Sequence, residues 1–202
     1  MSDSTIQLLV QPLDGDDERL ERLHASLVER ATAEGAVDAT YRVTDSPVGA
    51  LLLAATDIGV VRVAFEVEDH DRVLDRLGES LGSRILRGGS RLDELARELD
   101  DYFGGRRHGF DVPVDLRLVR GFRLAVLEHL SHIPYGSTES YGQVALAAGS
   151  PRAVRAVGSA CATNPLPIVV PCHRVVRSDG SLGGYLGGLP TKERLLTLER
   201  AA

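Results

Sequence analysis

The sequence predicts an α+β fold in which a small α/β domain precedes a mostly helical domain. Three short β-rich stretches, separated by turn residues, lie in the first half, whereas helical patterns fill most of the second half. The chain has 202 residues, which is enough for one large domain or two small ones. Its hydrophobic content of 43% indicates a packed core rather than a disordered chain.

The first half is predicted to hold a helix, an antiparallel meander and two further helices. Residues 16–33 place Leu20, Leu23, Leu27 and Val28 at helical spacing, which predicts an amphipathic packing helix. Short connections such as Ser46-Pro47 favour a meander rather than parallel crossovers. The predicted strands span 39–44, 50–55 and 59–67, and the later helices span 71–81 and 91–103.

The second half is predicted to contain a helix-turn-helix. One helix carries an apolar stripe from Val119 to Ile133 and ends at the following Pro-Tyr-Gly. Two more helices, over 140–148 and 152–162, flank Gly149-Ser150-Pro151, where Ser150 would cap and Pro151 would take the first helical position. Many helical hairpins of this kind bind no DNA, but arginines on the third helix favour a DNA-binding one.

Charge is divided unevenly along the chain, whose net charge is −6. Residues 1–115 hold 13 basic and 24 acidic residues, whereas residues 116–202 hold 10 basic and 5 acidic ones. Within 151–177 there are four arginines and no acid, namely Arg152, Arg155, Arg174 and Arg177. A basic half on an acidic chain points to a polyanionic partner, although charge asymmetry between domains is also common.

Cysteine usage and the N-terminal residues indicate a cytoplasmic protein. Two thiols, Cys161 and Cys172, make no disulfide framework, and no Cys/His spacing suggests a zinc site. No apolar run approaches the length of a membrane span, and residues 1–13 lack the basic start of a secretory signal. We therefore expect no membrane association and no bound metal.

Residues 164–176 hold the candidate nucleophile. Pro165, Pro167 and Pro171 restrict the backbone leading into Cys172-His173-Arg174, so the thiol is expected on a stiff segment. His173 or Arg174 could supply positive charge that lowers the pKa of an exposed thiol and activates it, or could accept its proton, although adjacency alone does not show that they face it. A buried structural cysteine is the alternative for Cys172, and Cys161 is interpreted as a core residue.

The sequence resembles the O6-alkylguanine-DNA alkyltransferases over about residues 40–200, most strongly from 133 onward. Pro171-Cys172-His173-Arg174-Val175 matches the active-site motif of that family. Further matching blocks keep the family's order and spacing: 133–136, 138–141, 152–158, 164–165, 184–188 and 192–196.

The resemblance implies a ribonuclease-H-like α/β domain over 39–115 and a winged helix-turn-helix alkyltransferase domain over 116–202, after an N-terminal extension over 1–38. It implies direct-reversal DNA repair by a single-turnover suicide enzyme. The alkyl group would pass irreversibly from O6 of a flipped-out guanine to Cys172, with O4 of thymine left open as a second substrate. The partner would be alkylated double-stranded DNA, bound through the minor groove without a cofactor by a monomer, with cooperative binding left open.

The same resemblance assigns roles around the thiol. Cys172, His173 and Glu199 would form a relay in which a water links His173 to Glu199 and the glutamate takes the proton through it. Asn164 would brace the turn before the active-site segment. Tyr185 would protonate the leaving guanine. The pocket would be completed by the amide of Leu186, by Gly187 and by the carbonyls of Cys172 and Val175.

On the DNA side, the resemblance makes Arg155 the residue that fills the base stack after the nucleotide leaves, and Tyr141 the residue that crowds the 3′ phosphate. Arg152 and Ser140 would contact DNA beside them. The chain departs from the family's Phe-Gln-x-x-Val-Trp pattern at 122–127, carries Leu186 where many members have Ser or Arg, and lacks the zinc ligands of some members.

Three other classes of protein are weighed against this interpretation. A non-enzymatic lesion binder of the same fold commonly carries Trp at the cysteine position, so Cys172 argues against it. An alkylation-sensing transcription regulator would need an effector domain, which residues 1–40 are too short to form. A cysteine hydrolase would need an oxyanion hole and would leave the DNA-facing arginines unexplained.

Overall fold

The computed structural model describes residues 16–200, and the start and end of the chain lie outside the described residues. The N-terminal domain is built on a four-stranded sheet of order β3-β2-β1-β4, with β1 antiparallel to β2 and β2 antiparallel to β3. Its elements are α1 (Asp16–Ala33), β1 (Ala39–Thr44), β2 (Leu51–Ala55), β3 (Val60–Phe65), α2 (His70–Leu81), β4 (Ile85–Arg87) and α3 (Asp93–Phe103).

The predicted meander is confirmed, but the sequence analysis missed strand β4. This strand has three residues, pairs in parallel with β1, and is only partly buried. A segment this short lacks the alternation that marks a strand in sequence. Because β4 follows α2 and runs parallel to β1, the sheet is mixed rather than purely antiparallel.

Strand β2 is buried on both faces, so the sheet lies between two apolar layers. Leu52 and Ala54 face α2 through Val73 and Leu77. Leu51 and Leu53 face the opposite layer, which includes α3 and continues into the core of the C-terminal domain. The two domains therefore share one hydrophobic core.

Helix α1 forms where it was predicted, but of the four residues of its expected packing stripe only Val28 is buried. Leu20, Leu23 and Leu27 are 67%, 60% and 58% exposed, whereas the adjacent Val28 is fully buried. The helix lies at the β4 edge, where His24 Nε2 is 2.7 Å from the Arg87 carbonyl. Because it meets only this narrow edge, a single apolar residue of the helix reaches the core.

The C-terminal domain is mostly helical, with a short pair of parallel strands. The elements are α4 (Phe122–Leu130), β5 (Glu139–Ser140), α5 (Tyr141–Ala147), α6 (Val154–Ala162), β6 (Val175–Val176) and α7 (Leu189–Arg200). In the unusual 122–127 segment, Val126 and Leu127 are fully buried, and Arg123 donates to the carbonyl of Thr163 beyond the end of α6 (3.0 Å). The departure from the family pattern is thus accommodated by packing.

Helices α5 and α6 form the predicted helix-turn-helix, with Gly149 supplying the left-handed turn conformation (φ +77°). The predicted start of α6 is wrong. The Ala153 amide bonds the Ser150 carbonyl at 2.8 Å and closes a separate turn. Ala153 is therefore the N-cap, and Ser150 and Pro151 lie outside the helix. No helix within residues 16–200 is long and apolar enough to span a membrane.

Candidate active site

Cys172 opens a single 3-10 turn, Cys172–Arg174, at the end of the proline-containing segment. Ile168 adopts a left-handed conformation (φ +74°), which is strained for a β-branched residue. The Cys172 amide is bonded to the Val170 carbonyl at 2.8 Å. The segment is thus held by its own backbone, and Cys172 is only 2% exposed, whereas an exposed thiol was expected.

Asn164 ties this segment together from a fully buried position. Its Nδ2 donates to the Val170 carbonyl (2.8 Å) and to the Cys172 sulfur (3.1 Å). Its Oδ1 accepts from the Leu166 amide at 3.0 Å. One side chain therefore holds the backbone at Leu166 and Val170 and donates directly to the Cys172 sulfur.

The expectation that His173 and Arg174 lower the pKa of the thiol is wrong. Burial raises the pKa of Cys172 to about 11, and it is opposed by the Asn164 hydrogen bond and by the nearby charge of Lys192. Arg174 is turned away toward Glu199. Ionisation of Cys172 therefore needs a neighbouring group that accepts its proton.

His173 and Glu199 are in direct contact, which corrects the expected water between them. His173 Nε2 lies 2.7 Å from Glu199 Oε1, a distance that leaves no room for a bridging water. Since the carboxylate accepts at Nε2, the imidazole carries its proton there and keeps Nδ1 as an acceptor. Burial lowers the pKa of His173, and Glu199 opposes this shift.

Glu199 is a buried carboxylate surrounded by donors. Its oxygens accept from the Tyr102 hydroxyl, His173 Nε2, Arg174 Nε and Nη2, and the Gly136 amide. Burial alone would raise the pKa of Glu199, but the hydrogen bonds from His173 and Arg174 lower it to about 2. Glu199 is therefore ionised in the resting protein, where it orients the imidazole, and its uptake of the thiol proton stays a prediction.

One of the resembling sequence blocks, 133–136, acquires physical roles around this carboxylate. Ile133 accepts from Arg174 Nη1 through its carbonyl (2.7 Å). Gly136 has φ +73°, and a Cβ there would lie 3.0 Å from the Glu199 carbonyl oxygen. Arg174, one of the four arginines of the basic segment, is thus buried in an ion pair and does not contribute to a DNA-facing surface.

The ring of Tyr185 lies near the imidazole of His173. Its ring is perpendicular to that of His173, with centroids 6.3 Å apart. Burial, followed by the proximity of Cys172, raises the pKa of Tyr185 well above its usual value, so its hydroxyl stays protonated. That hydroxyl and His173 Nδ1 are buried polar atoms with no hydrogen-bond partner among residues 16–200.

The residues expected to line a guanine pocket lie around the thiol and Tyr185, and each makes a different contact. Val175 is buried, and its carbonyl accepts from Lys192 Nζ at 2.5 Å. Leu186 is half-buried beside Tyr185. Gly187 packs so closely under Phe65 that a Cβ would lie 2.9 Å from its ring. The Val175 carbonyl keeps a second lone pair for a further donor.

The residues expected to meet DNA lie on or beside the helix-turn-helix. Arg152 and Arg155 are exposed, and their side chains bond no other residue within 16–200. Ser140 caps α5, where it accepts from the Gln143 amide. Tyr141 is half-buried against Gly183, where a Cβ would lie 2.2 Å from its hydroxyl oxygen. Tyr141 thus joins the start of α5 to the glycine-containing segment near Tyr185.

Several residues at this centre were missed by sequence reasoning. Tyr102 and Phe65 come from the N-terminal domain and carry no sequence pattern that distinguishes them from core aromatics. Lys192 lies in a resembling block, yet its burial was not anticipated. Arg62 of β3 donates to the Asn164 carbonyl (3.3 Å). Within residues 16–200, no cluster of His, Cys, Asp and Glu side chains could hold a metal ion.

Comparisons with known proteins agree on one family. The family model described as 6-O-methylguanine DNA methyltransferase, ribonuclease-like domain, matches residues 39–116. The model described as 6-O-methylguanine DNA methyltransferase, DNA binding domain, matches residues 121–201.

Individual relatives cover most of the chain. A methylated-DNA–protein-cysteine methyltransferase of Mycolicibacterium paratuberculosis is 42% identical over 160 residues, which are 79% of this chain and 92% of the relative. One from Methanosarcina barkeri is 38% identical, covering 79% and 96%. The structure of Mycobacterium tuberculosis OGT in complex with DNA superimposes with a TM-score of 0.71 at 38% identity, covering 80% of this chain and 93% of that one. The chain belongs to the 6-O-methylguanine DNA methyltransferase family, with a ribonuclease-like N-terminal domain and a DNA-binding C-terminal domain.

Proposed function

We propose that this protein repairs DNA by moving an alkyl group from O6 of guanine to the sulfur of Cys172, once per molecule. The observation that carries the proposal is that two buried polar atoms near the buried thiol, Nδ1 of the adjacent His173 and the Tyr185 hydroxyl, have no hydrogen-bond partner within residues 16–200. A proton acceptor and a proton donor are the two groups that attack by a thiol on an alkylated purine requires.

The chemistry balances within these residues and the substrate. The thiol proton passes to His173 Nδ1, directly or through one water, while Glu199 holds the other ring nitrogen. The sulfur attacks the alkyl carbon, a sulfur–carbon bond forms and the carbon–O6 bond breaks. The Tyr185 hydroxyl gives its proton to the leaving guanine, and the proton held on His173 then returns through solvent to the tyrosine oxygen, so that the thiol proton ends on guanine. Since the thioether has no leaving group that a further step could use, the protein is consumed.

Recognition of guanine follows from the groups around the thiol. We assign the carbonyls of Cys172 and Val175 as acceptors for the exocyclic amine of guanine, a group that adenine does not present at that position. The Leu186 amide and Gly187 would form the wall behind the base. No cofactor enters this scheme, because the thiol is itself the acceptor of the alkyl group.

Base flipping is required by the burial of the nucleophile. Because Cys172 is 2% exposed, a guanine stacked in a duplex cannot reach it. An extruded nucleotide must therefore displace part of the protein that covers the thiol. We propose that the glycine-containing segment 183–188 is that part. Arg155, exposed in the first turn of α6, would fill the vacated stack, Tyr141 would crowd the phosphate, and Arg152 would contact the backbone.

We propose residues 39–115 and 116–202 as the two domains, with 1–38 as an extension, a division supported by the ranges of the two matching models. One chain supplies the thiol, the imidazole, the carboxylate and the tyrosine of the centre, which supports a monomer as the acting unit. Cys172 itself disfavours a lesion binder that transfers nothing.

The direct test is to locate the transferred group. The protein is incubated with a duplex carrying one O6-methylguanine, and its peptides are then weighed. We expect the added methyl group only on the peptide that holds Cys172. Cys172→Ser should abolish transfer, whereas Cys161→Ser, the matched control at the other buried thiol, should retain it. Methylation that persists in Cys172→Ser would refute the proposal.

A further inference from the structure

The hydroxyl of Tyr102 contacts the carboxylate that orients the catalytic histidine. Tyr102 lies in α3 of the N-terminal domain, 97 residues before Glu199, and donates to Glu199 Oε1 at 2.7 Å. It is fully buried, and its ring packs against the rings of Phe103, Phe110 and Tyr135. The N-terminal domain thus reaches directly into the centre.

Tyr102 differs in origin from the other donors to this carboxylate. His173, Arg174 and Gly136 all belong to the C-terminal domain. Burial, followed by the charge of Glu199, raises the pKa of Tyr102, so the hydroxyl remains a donor at every physiological pH. Oε1 accepts from Tyr102, His173 Nε2 (2.7 Å) and Arg174 Nη2 (2.8 Å) together. The hydroxyl therefore shares the oxygen that holds the imidazole.

We propose that Tyr102 is a positioning residue for alkyl transfer: it fixes the Glu199 carboxylate and tempers its charge, so that His173 is held in line with the thiol. The proposal rests on the proposed function and gives the N-terminal domain a part in the reaction. Without the hydroxyl the carboxylate can turn within its site, and Oε1 presents more negative charge to His173.

The two effects predict a distinct change in kinetics. Greater charge on Oε1 raises the pKa of the imidazole, so the neutral imidazole that can accept the thiol proton is reached only at higher pH. Looser positioning slows the transfer itself. The charged and titratable groups that face His173 and Glu199, namely Arg174, Lys192, Cys172, Tyr135 and Tyr185, remain in place when only the hydroxyl is removed.

The test uses Tyr102→Phe, which keeps the ring, and free O6-benzylguanine as substrate, which avoids the DNA-binding steps. Single-turnover rates are measured across pH. We expect a plateau about tenfold below the unsubstituted protein, the scale of one hydrogen bond to a charged group, with its midpoint moved to higher pH. Tyr135→Phe is the control, since its hydroxyl contacts the Leu198 carbonyl and not Glu199.

A double-substitution cycle separates positioning from loss of structure. If Tyr102 acts through Glu199, then Tyr102→Phe should cost little in a Glu199→Gln background, and the same holds against His173→Gln if the first background does not fold. Additive losses, a rate equal to that of Tyr135→Phe, or a slower rate with an unmoved midpoint would each overturn the proposal. An unsubstituted protein that transfers neither a benzyl group from the free base nor a methyl group from a methylated duplex would instead overturn the proposed function and this inference with it.

Discussion

Replacing Asn164 with Ala tests whether this side chain holds the active-site segment. The substitution removes the donor to the Val170 carbonyl and the acceptor for the Leu166 amide, and both contacts are buried. The Val170 carbonyl keeps the Cys172 amide as a donor, whereas the buried Leu166 amide loses its partner. One such group costs about 1–3 kcal/mol, so the free energy of unfolding should fall by about 1–3 kcal/mol. The same change removes the hydrogen bond that lowers the pKa of Cys172, so that pKa should rise further.

Two measurements check these effects. Urea unfolding gives the change in stability, and the rate at which iodoacetamide labels Cys172 across pH, measured in Cys161→Ser protein, gives the change in thiol pKa. Thr163→Ala is the matched control, because Thr163 is the exposed neighbour of Asn164 and should change stability by no more than about 0.5 kcal/mol.

The reasoning would be refuted if Asn164→Ala matched Thr163→Ala in stability, or if its labelling midpoint stayed where it was. A loss of stability without a shift in the midpoint would show that the Asn164 contact to the sulfur has no effect on ionisation. A shift without a loss of stability would show that water replaces the backbone contacts at no cost.

Three further predictions concern DNA repair, stability in acid and the glycine-containing segment 183–188. Arg155→Ala should slow repair of a methylated duplex about tenfold or more while leaving transfer from free O6-benzylguanine unchanged, with exposed Arg194→Ala as control; equal losses on both substrates would contradict the flipping role. Glu199→Gln should remove about 3 kcal/mol of stability that is present above about pH 5 and fades as pH falls toward 2, because the folded-state pKa of about 2 lies below the usual 4.5; a difference from the unsubstituted protein that does not vary with pH in acid unfolding would contradict this. Gly183→Ala should push the Tyr141 ring aside and slow duplex repair, whereas Gly184→Ala, where an added Cβ meets no atom, should not; equal rates in the two variants would exclude a role for this contact.

Local patterns in the sequence were sufficient for the main elements. The helix over Asp16–Ala33 and the strand over Ala39–Thr44 form where periodicity and turn residues place them. The three-residue strand β4 was missed because it forms through pairing with the distant β1, and three residues are too few to show a strand pattern in the sequence. The start of α6 was wrong because a backbone turn at Ser150 outcompetes a helix cap.

The chemistry of the site depends on distances that a sequence does not contain. Cys172-His173-Arg174 marks the centre, but adjacency does not show which group Arg174 faces, and the fold pairs it with Glu199. The water expected beside Glu199 is excluded because α7 brings the carboxylate into contact with the imidazole. Tyr102 escaped notice because only the packing of the N-terminal domain on the C-terminal one gives its hydroxyl a partner.

A protein that is consumed in the reaction accepts one alkyl group per molecule, and this number can be measured. Intact protein is weighed after incubation with increasing amounts of a duplex that carries O6-methylguanine. We predict that the mass of each protein molecule rises by one methylene unit and then stays constant. An equal amount of duplex should then carry unmodified guanine. Continued turnover of the duplex by a small amount of protein, or binding without any gain in mass, would contradict the claim that Cys172 is the final acceptor.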